Sequence, residues 1–537
     1  MRPATLPQYV VSQAQQRPQA AAIVAGGTAL TYGELDARST QLARQLRETG
    51  CRRGDRVCLL APKSPAALAA IVGIYKAGGI YVPLDPASPA ARLFKIVHAC
   101  DPAALLLPPT ATRLADEILA FDPGLRPRIG SLEGPLVGVR VRADFTATDV
   151  GRQPAAAVEG RSDEGDPAHI LFTSGSTGQP KGVLITHANV VHFVEWANAH
   201  FDVRPGDRVS GHSPLAFDLS VYDIFGAFAA GATLYPVPAE LSVFPNKLAE
   251  FIREQELTQW FSAPSVLSYL AQFDVVGFDD FPALKRVIWC GEVFGIAALR
   301  YWMTRLPHAT FTNLYGPTET TIASSHYRVE ACPPEGALPV PIGAACPGES
   351  LYILDEALQP VPDGEIGEIC IGGVGLSPGY WRAPDLTDAV FVRRPSAGGA
   401  GERIYRTGDL GRRGAGGLVH FVGRRDSQIK SRGHRIELGE IEAALQLLPA
   451  LRESAVVAVS SDGFDGTVVC CAYVPRPDAP VTPALLRKQL AALVPPYMLP
   501  AQWRAFDRLP LNGNGKTDRN QLKRVFLQSA ERGALTH

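Results

Sequence analysis

Residues 171–183 read LFTSGSTGQPKGV, a run of hydroxyls and glycines that ends in a lysine and follows the short stretch HILF at 169–172. These residue types suit the holding of phosphate. Gly175, Gly178 and Gly182 carry no Cβ and let the backbone approach an anion. Thr173, Ser174, Ser176 and Thr177 supply hydroxyl donors, and Lys181 supplies a point charge. The spacing is not that of a Walker loop, which needs a glycine directly before the lysine, where this chain has Pro180. P-loop ATPase chemistry is therefore disfavoured. Read in isolation, the same composition also describes an exposed linker.

Four downstream segments extend the pattern: NLYGPTETT at 313–321, YRTGDL at 405–410, GRRDSQIKSRGHRIELGEIE at 423–442 and PLNGNGKTD at 510–518. In this order they resemble the core motifs of the adenylate-forming enzymes, most closely the amino-acid adenylation domains of nonribosomal peptide synthetases. The resemblance runs from LTYGEL at 30–35 and KAGGIYVPLDP at 76–86 through to Lys516. The string GNGKT is a decoy for a Walker motif, because Pro510 stands where its first glycine belongs.

The resemblance implies ATP and Mg²⁺ as cofactors and an amino acid as substrate. Attack of a carboxylate on the α-phosphate of ATP brings anions together, so a catalyst must neutralise charge and align the reacting atoms. On this reading Ser174, Thr177 and Lys181 clasp the outer phosphates, with Thr173, Gly175, Ser176 and Gly178 completing the loop. Thr318 meets the α-phosphate, and Glu319 binds Mg²⁺, a hard cation that prefers oxygen ligands. Tyr315 offers a ring to adenine and Asn313 an amide to its edge. Asp409 takes the ribose hydroxyls, Arg424 adds a nucleotide contact, and Lys516 is the mobile cation between the substrate carboxylate and the α-phosphate. Without the family context, Asp409 and Glu319 equally fit a helix cap or a turn. His187 and His434 are read as structural, since an ionised carboxylate needs no general base.

Within AFDLSVYDIF at 216–225, the resemblance gives Asp218 the task of pairing with the substrate ammonium; a helix N-cap is its other reading. The implied pocket continues through Leu219, Tyr222, Phe261, Ile288, Cys290, Leu314, Ile322 and Ala323. This lining is apolar, and a charged side chain would lose its hydration there. FPNKLAEFI at 244–252 and WCGEVF at 289–294 are similar to free-standing enzymes that load proline onto carrier proteins, so the resemblance makes proline the first expectation for the substrate, then alanine or cysteine.

The elements that must position these groups read as α/β. In 537 residues more than one domain is expected. The expected fold class is a large N-terminal domain of layered α/β sheets with a β-rich subdomain, 1–425, and a small mobile α+β C-terminal domain, 426–537, hinged at Asp426. An amphipathic helix at 32–48 and a strand at 56–60 begin the alternation of parallel-sheet proteins. Residues 101–165 look loop-heavy. Helices are expected at 436–448 and 483–493, and strands at 453–459 and 467–474, where the adjacent Cys470 and Cys471 read as core.

Lys plus Arg total 52 against 53 for Asp plus Glu, so no global field favours nucleic acid or an anionic membrane. The apolar stretches are too short to cross a bilayer and the N-terminus has no secretion pattern. Nine scattered cysteines fit a reducing cytoplasm. No carrier-protein serine motif follows Lys516 and no HHxxxDG signature occurs. The acyl group is therefore expected to leave on a separate molecule; the resemblance implies a phosphopantetheinylated carrier protein in trans, met by the turn at 430–434 after the C-terminal domain rotates, with coenzyme A as the other acceptor. An acyl-CoA ligase acting on an unusual acid and a catalytically idle nucleotide-binding partner are the competing readings.

Overall fold

The computed structural model describes residues 3–175, 179–395, 401–460, 467–477, 481–511 and 517–534, with backbone alone at 415, 460 and 529–534. Ser176, Thr177, Gly178 and Lys516 lie outside the described residues.

Two sheets form the large part of the molecule. In the first, Arg128–Ser131, Ala104–Leu107, Arg56–Leu60, Ile80–Leu84 and Pro167–Thr173 run parallel, and Lys181–Thr186 closes the edge antiparallel to the last. Runs such as ALLL at 104–107 and IYVPL at 80–84 are buried throughout, as parallel strands covered on both faces must be. The second sheet has nine strands. Its parallel centre is Thr310–Tyr315, Arg286–Cys290, Gln259–Ser262, Arg208–Gly211, Thr233–Pro236 and Ala21–Ala25, with antiparallel strands at both edges.

Helices pack against these sheets, and the local sequence sets their ends. Tyr32–Glu48 starts at a capping box in which Thr31 and Glu34 satisfy each other's backbone N–H groups. Pro65–Ala77 starts at the Ser64 cap, stops at Gly78, and is buried from Ala67 to its end.

A five-stranded antiparallel sheet follows, built from Glu349–Leu354, Ile366–Gly373, Glu402–Arg413, Phe391–Arg394 and Val419–Arg424. After Asp426 come the hairpin Gln428–Ser431 with His434–Glu437, the helix Leu438–Gln446, and a three-stranded sheet of Leu451–Ser460, Thr467–Pro475 and Gln502–Ala505. Cys470 and Cys471 are buried in two different apolar clusters, as neighbours on opposite faces of one strand must be.

Two expectations change. Residues 101–165 hold the strands Ala104–Leu107 and Arg128–Ser131 and the helices Thr112–Ala120 and Ala147–Arg152. Four-residue strands among Pro, Asp and Gly are too short to show a period. The helix expected from 436 begins at Leu438, because Ile436 is taken into the hairpin opposite Ile429. Among the described residues, no helix is long and apolar enough to cross a membrane.

Candidate functional site

The glycine- and hydroxyl-rich loop joins two antiparallel strands, Pro167–Thr173 and Lys181–Thr186, and does not lead into a helix as a Walker loop does. A Cβ on Gly175 would stand 2.1 Å from the Gln179 carbonyl, so only glycine permits this bend. Thr173 Oγ1 is buried with no hydrogen-bond partner among the described residues. Ser174 Oγ donates to the Arg435 carbonyl at 2.7 Å. Lys181 Nζ lies 3.2 Å from the Tyr380 hydroxyl, 4.8 Å from the Tyr380 ring centroid and 3.5 Å from Glu319 Oε1. Burial lowers the Lys181 pKa, Arg435 adds to the effect, and Glu319 opposes it.

Glu319 is the centre of this end of the site. Its side chain is 0 % exposed and accepts from the Tyr380 hydroxyl at 2.7 Å and from Arg435 Nη1 at 2.9 and 2.7 Å. Burial alone would raise its pKa, but Arg435 and Lys181 outweigh it and hold the carboxyl well below the usual range. Thr318–Thr320 forms one short 3-10 turn, after which Thr321 and Ile322 take φ of 62° and 68°. Two successive β-branched residues in the left-handed region cost about 1–3 kcal/mol each and persist only where packing holds them. The Thr321 hydroxyl donates to the Gly375 carbonyl at 2.7 Å, and Ile322 is packed into the core. This twist turns Ile322 and Ala323 inward.

Leu219, Tyr222, Phe261, Ile288, Cys290, Leu314, Ile322 and Ala323 all belong to one buried apolar cluster. The Tyr222 and Phe261 rings meet edge to face at 5.9 Å, and Cys290 Sγ lies 3.8 Å from the Ile322 carbonyl. Asp218 stands at the mouth of the helix Leu219–Ala230 and makes no side-chain capping bond. It is 9 % exposed, and burial pushes its pKa up to about 6, against the pull of the Thr318 hydroxyl, the Leu219 N–H and Lys430. Glu319 adds to the rise. A cationic partner for Asp218 is therefore strongly favoured at neutral pH. Since the free-enzyme value governs kcat/KM, its logarithm for an amine-bearing substrate is expected to fall with a slope of about one per pH unit below pH ~6, as Asp218 takes up its proton. A flat profile between pH 5 and 7 would show that Asp218 does not meet the amine.

On the other side, Tyr315 donates to Asp409 Oδ2 at 2.7 Å and Arg424 Nη1 to Asp409 Oδ1 at 2.6 Å. Arg424 also holds Asp426 through two bonds of 2.7 Å, tying Asp409 to the start of the C-terminal part. Asn313 Nδ2 donates to the Pro341 carbonyl, and Lys430 Nζ stands 5.5 Å from the Tyr315 ring centroid. The tip of the hairpin enters the site: Gly433 N–H donates to Glu292 Oε1 at 2.9 Å, and His434 stacks on Tyr497 at 3.5 Å. His187 Nδ1 accepts from the Leu6 N–H.

Contacts thus join Ser174, Lys181 and Glu319 in one group and Tyr315, Asp409 and Arg424 in another, while the apolar candidates share one buried cluster; three further residues were missed by sequence reasoning. Tyr380, Arg435 and Glu292 contact the site from distant segments. The motif GHRIELGEIE contained Arg435 without assigning it a task, and SPGYW at 377–381 was a readable aromatic signal for Tyr380.

Residues 10–381 match the model for AMP-binding enzymes and residues 440–516 that for the AMP-binding enzyme C-terminal domain. The chain therefore belongs to the AMP-binding enzymes, the adenylate-forming ligases. It is similar along its length to adenylation domains of nonribosomal peptide synthetases. Tyrocidine synthase 3 of Brevibacillus parabrevis is 37% identical over 525 residues, 97% of this chain but 8% of that protein. The chain thus spans a small fraction of the curated relatives it matches. Among solved structures, the Vibrio cholerae adenylation domain AlmE, in complex with glycyl-adenosine-5'-phosphate, has a TM-score of 0.83 at 27% identity, covering 98% of both chains. Holo-PA1221, which contains adenylation and PCP domains, has a TM-score of 0.78 at 25% identity, covering 96% of this chain and 84% of that one.

Proposed function

We propose that this enzyme joins an amino acid to AMP, releasing pyrophosphate, and then passes the aminoacyl group to the phosphopantetheine thiol of a carrier protein supplied in trans. One observation carries the reading: a buried carboxylate, Asp218, stands at the start of a helix that enters a buried apolar cluster, and beside the Thr318–Glu319 turn. An amine at Asp218 places the substrate carboxylate next to that turn. There a carboxylate oxygen attacks the α-phosphorus of ATP as the bond to the pyrophosphate oxygen breaks. In the second step the thiol sulfur attacks the acyl carbon, and AMP leaves with the electron pair of the acyl–oxygen bond.

The groups suit a metal nucleotide. Among the described residues, no cluster of three or more His, Cys, Asp or Glu could hold a metal, so Glu319 would share Mg²⁺ with phosphate oxygens, as this ion prefers. When bound, Mg²⁺ supplies positive charge to the departing pyrophosphate. Thr173, Ser174 and Lys181 face the outer phosphates. Asp409 offers carboxylate oxygens to the ribose, and the Tyr315 ring is the adenine platform. The division at Asp426 and its role as pivot belong to the same proposal, supported by the Arg424 clamp across that junction. Nine unpaired cysteines, eight of them buried, fit a reducing cytoplasm.

For the side chain we propose proline, then alanine or cysteine. The crowded Tyr222–Phe261 pair favours a compact apolar group, and the glycyl adenylate in AlmE is also compact. Pyrophosphate exchange across a panel of amino acids and their des-amino counterparts tests the whole reading. Exchange supported equally by acids without an amine would establish the acyl-CoA ligase alternative.

Acyl transfer makes a further demand on Gly433, whose φ is 78° and whose added Cβ would lie 2.9 Å from that of Ala263. Gly433→Leu should therefore push the hairpin tip away from Ala263 and out of the pose proposed for acyl transfer. We expect acyl transfer to the carrier to fall by at least about tenfold, roughly 1.4 kcal/mol, while pyrophosphate exchange persists. Equal loss of both half-reactions in folded protein would remove the hairpin from the second step.

A further inference from the structure

The phosphate end of the site is occupied by the protein itself. Arg435 binds both oxygens of Glu319, and its own backbone carbonyl accepts the Ser174 hydroxyl. Close by, Glu440 of the following helix is paired with Arg92, both ions being buried. Two groups assigned above to the triphosphate and its metal, the Glu319 carboxylate and the Ser174 hydroxyl, are thus engaged by one residue of the hairpin.

We propose that Arg435 and the divalent cation take turns at Glu319: metal holds this carboxylate while ATP is bound, and the arginine replaces it after pyrophosphate has left. The inference rests on the reading of Glu319 as the metal's protein ligand. Charge dictates the alternation. Glu319 is sealed from water, and a buried carboxylate stripped of its close cation is strongly destabilised. Lys181, 3.5 Å from Oε1, does not replace Arg435 Nη1, which stands 2.9 and 2.7 Å from the two carboxylate oxygens. A divalent cation and a guanidinium on the same two oxygens would repel each other at contact distance. One leaves as the other arrives, and because Arg435 is fixed to the hairpin, its exchange moves the C-terminal part. Arg435 is accordingly a positioning residue for acyl transfer. It also returns positive charge to the phosphate end once the metal has departed with pyrophosphate.

The test follows the orientation of the C-terminal part directly. Dyes are placed on the exposed native Cys332 and on a cysteine introduced by Leu447→Cys, at a position 70% exposed. Energy transfer is then titrated with MgCl₂ in the presence of α,β-methylene-ATP, with EDTA as the metal-free control. Wild type should change its transfer efficiency as magnesium is added. A pose populated at about 90% weakens apparent metal affinity about tenfold, so Arg435→Gln should move the midpoint to about tenfold lower magnesium. Arg435→Lys, which retains the charge on a shorter side chain, should fall between. Glu319→Gln should abolish the magnesium response. A midpoint unchanged in Arg435→Gln, or no magnesium-dependent change in wild type, overturns the alternation. Failure of the underlying activation reading shows separately, as absence of pyrophosphate exchange with every amino acid tried.

Discussion

Asp218→Asn is expected to raise the Michaelis constant for the amino acid by two to three orders of magnitude. The substrate ammonium loses a desolvated carboxylate, and removing one member of a buried ion pair costs ~3–5 kcal/mol. Acids that lack the amine should not suffer this loss, so the preference for amino over des-amino substrates collapses. The same variant should be more stable than wild type at pH 8. Burial raises the Asp218 pKa from 3.8 to about 6, which corresponds to about 3 kcal/mol against the ionised form. For a carboxyl raised in this way, stability is fully present below its unfolded value and is lost as pH rises through about 6. Asparagine escapes that loss, so the melting advantage should appear above pH 6 and vanish near pH 4. A preference for the amine that survives the substitution would refute the role given to Asp218.

Lys516→Ala should reduce pyrophosphate exchange by about 10²-fold or more, the usual consequence of removing one preorganised donor from a developing charge. Lys516 lies outside the described residues, between Leu511 and Thr517, which pair in an isolated antiparallel bridge. Among the described residues, Lys181 and Arg435 are the cations on Glu319. Transfer from a supplied aminoacyl-AMP to a carrier thiol should therefore persist in Lys516→Ala. Full exchange activity in the variant, or equal loss of both steps with an unchanged melting temperature, would refute a role confined to adenylate formation.

What could be read from the amino-acid order was what local chemistry specifies. The loop is legible because glycine is needed at its bend, as the 2.1 Å approach of a Cβ on Gly175 to the Gln179 carbonyl shows. Long buried strands and capped helices were readable because their periods and caps are written within a few residues, as at Thr31, Glu34 and Ser64. Four-residue strands such as Ala104–Leu107 were not, because so few residues cannot display a period. Tertiary structure alone decided who neutralises Glu319. Tyr380 lies 61 positions away along the chain and Arg435 lies 116 away, yet both touch it. It also decided that Thr321 and Ile322 twist into the left-handed region, a choice against their intrinsic preference made by surrounding contacts. Charge interactions depend on distance through space, and burial multiplies them; neither quantity has any signature in sequence separation. The residue types therefore announced a phosphate-handling site, while folding determined which cation closes it.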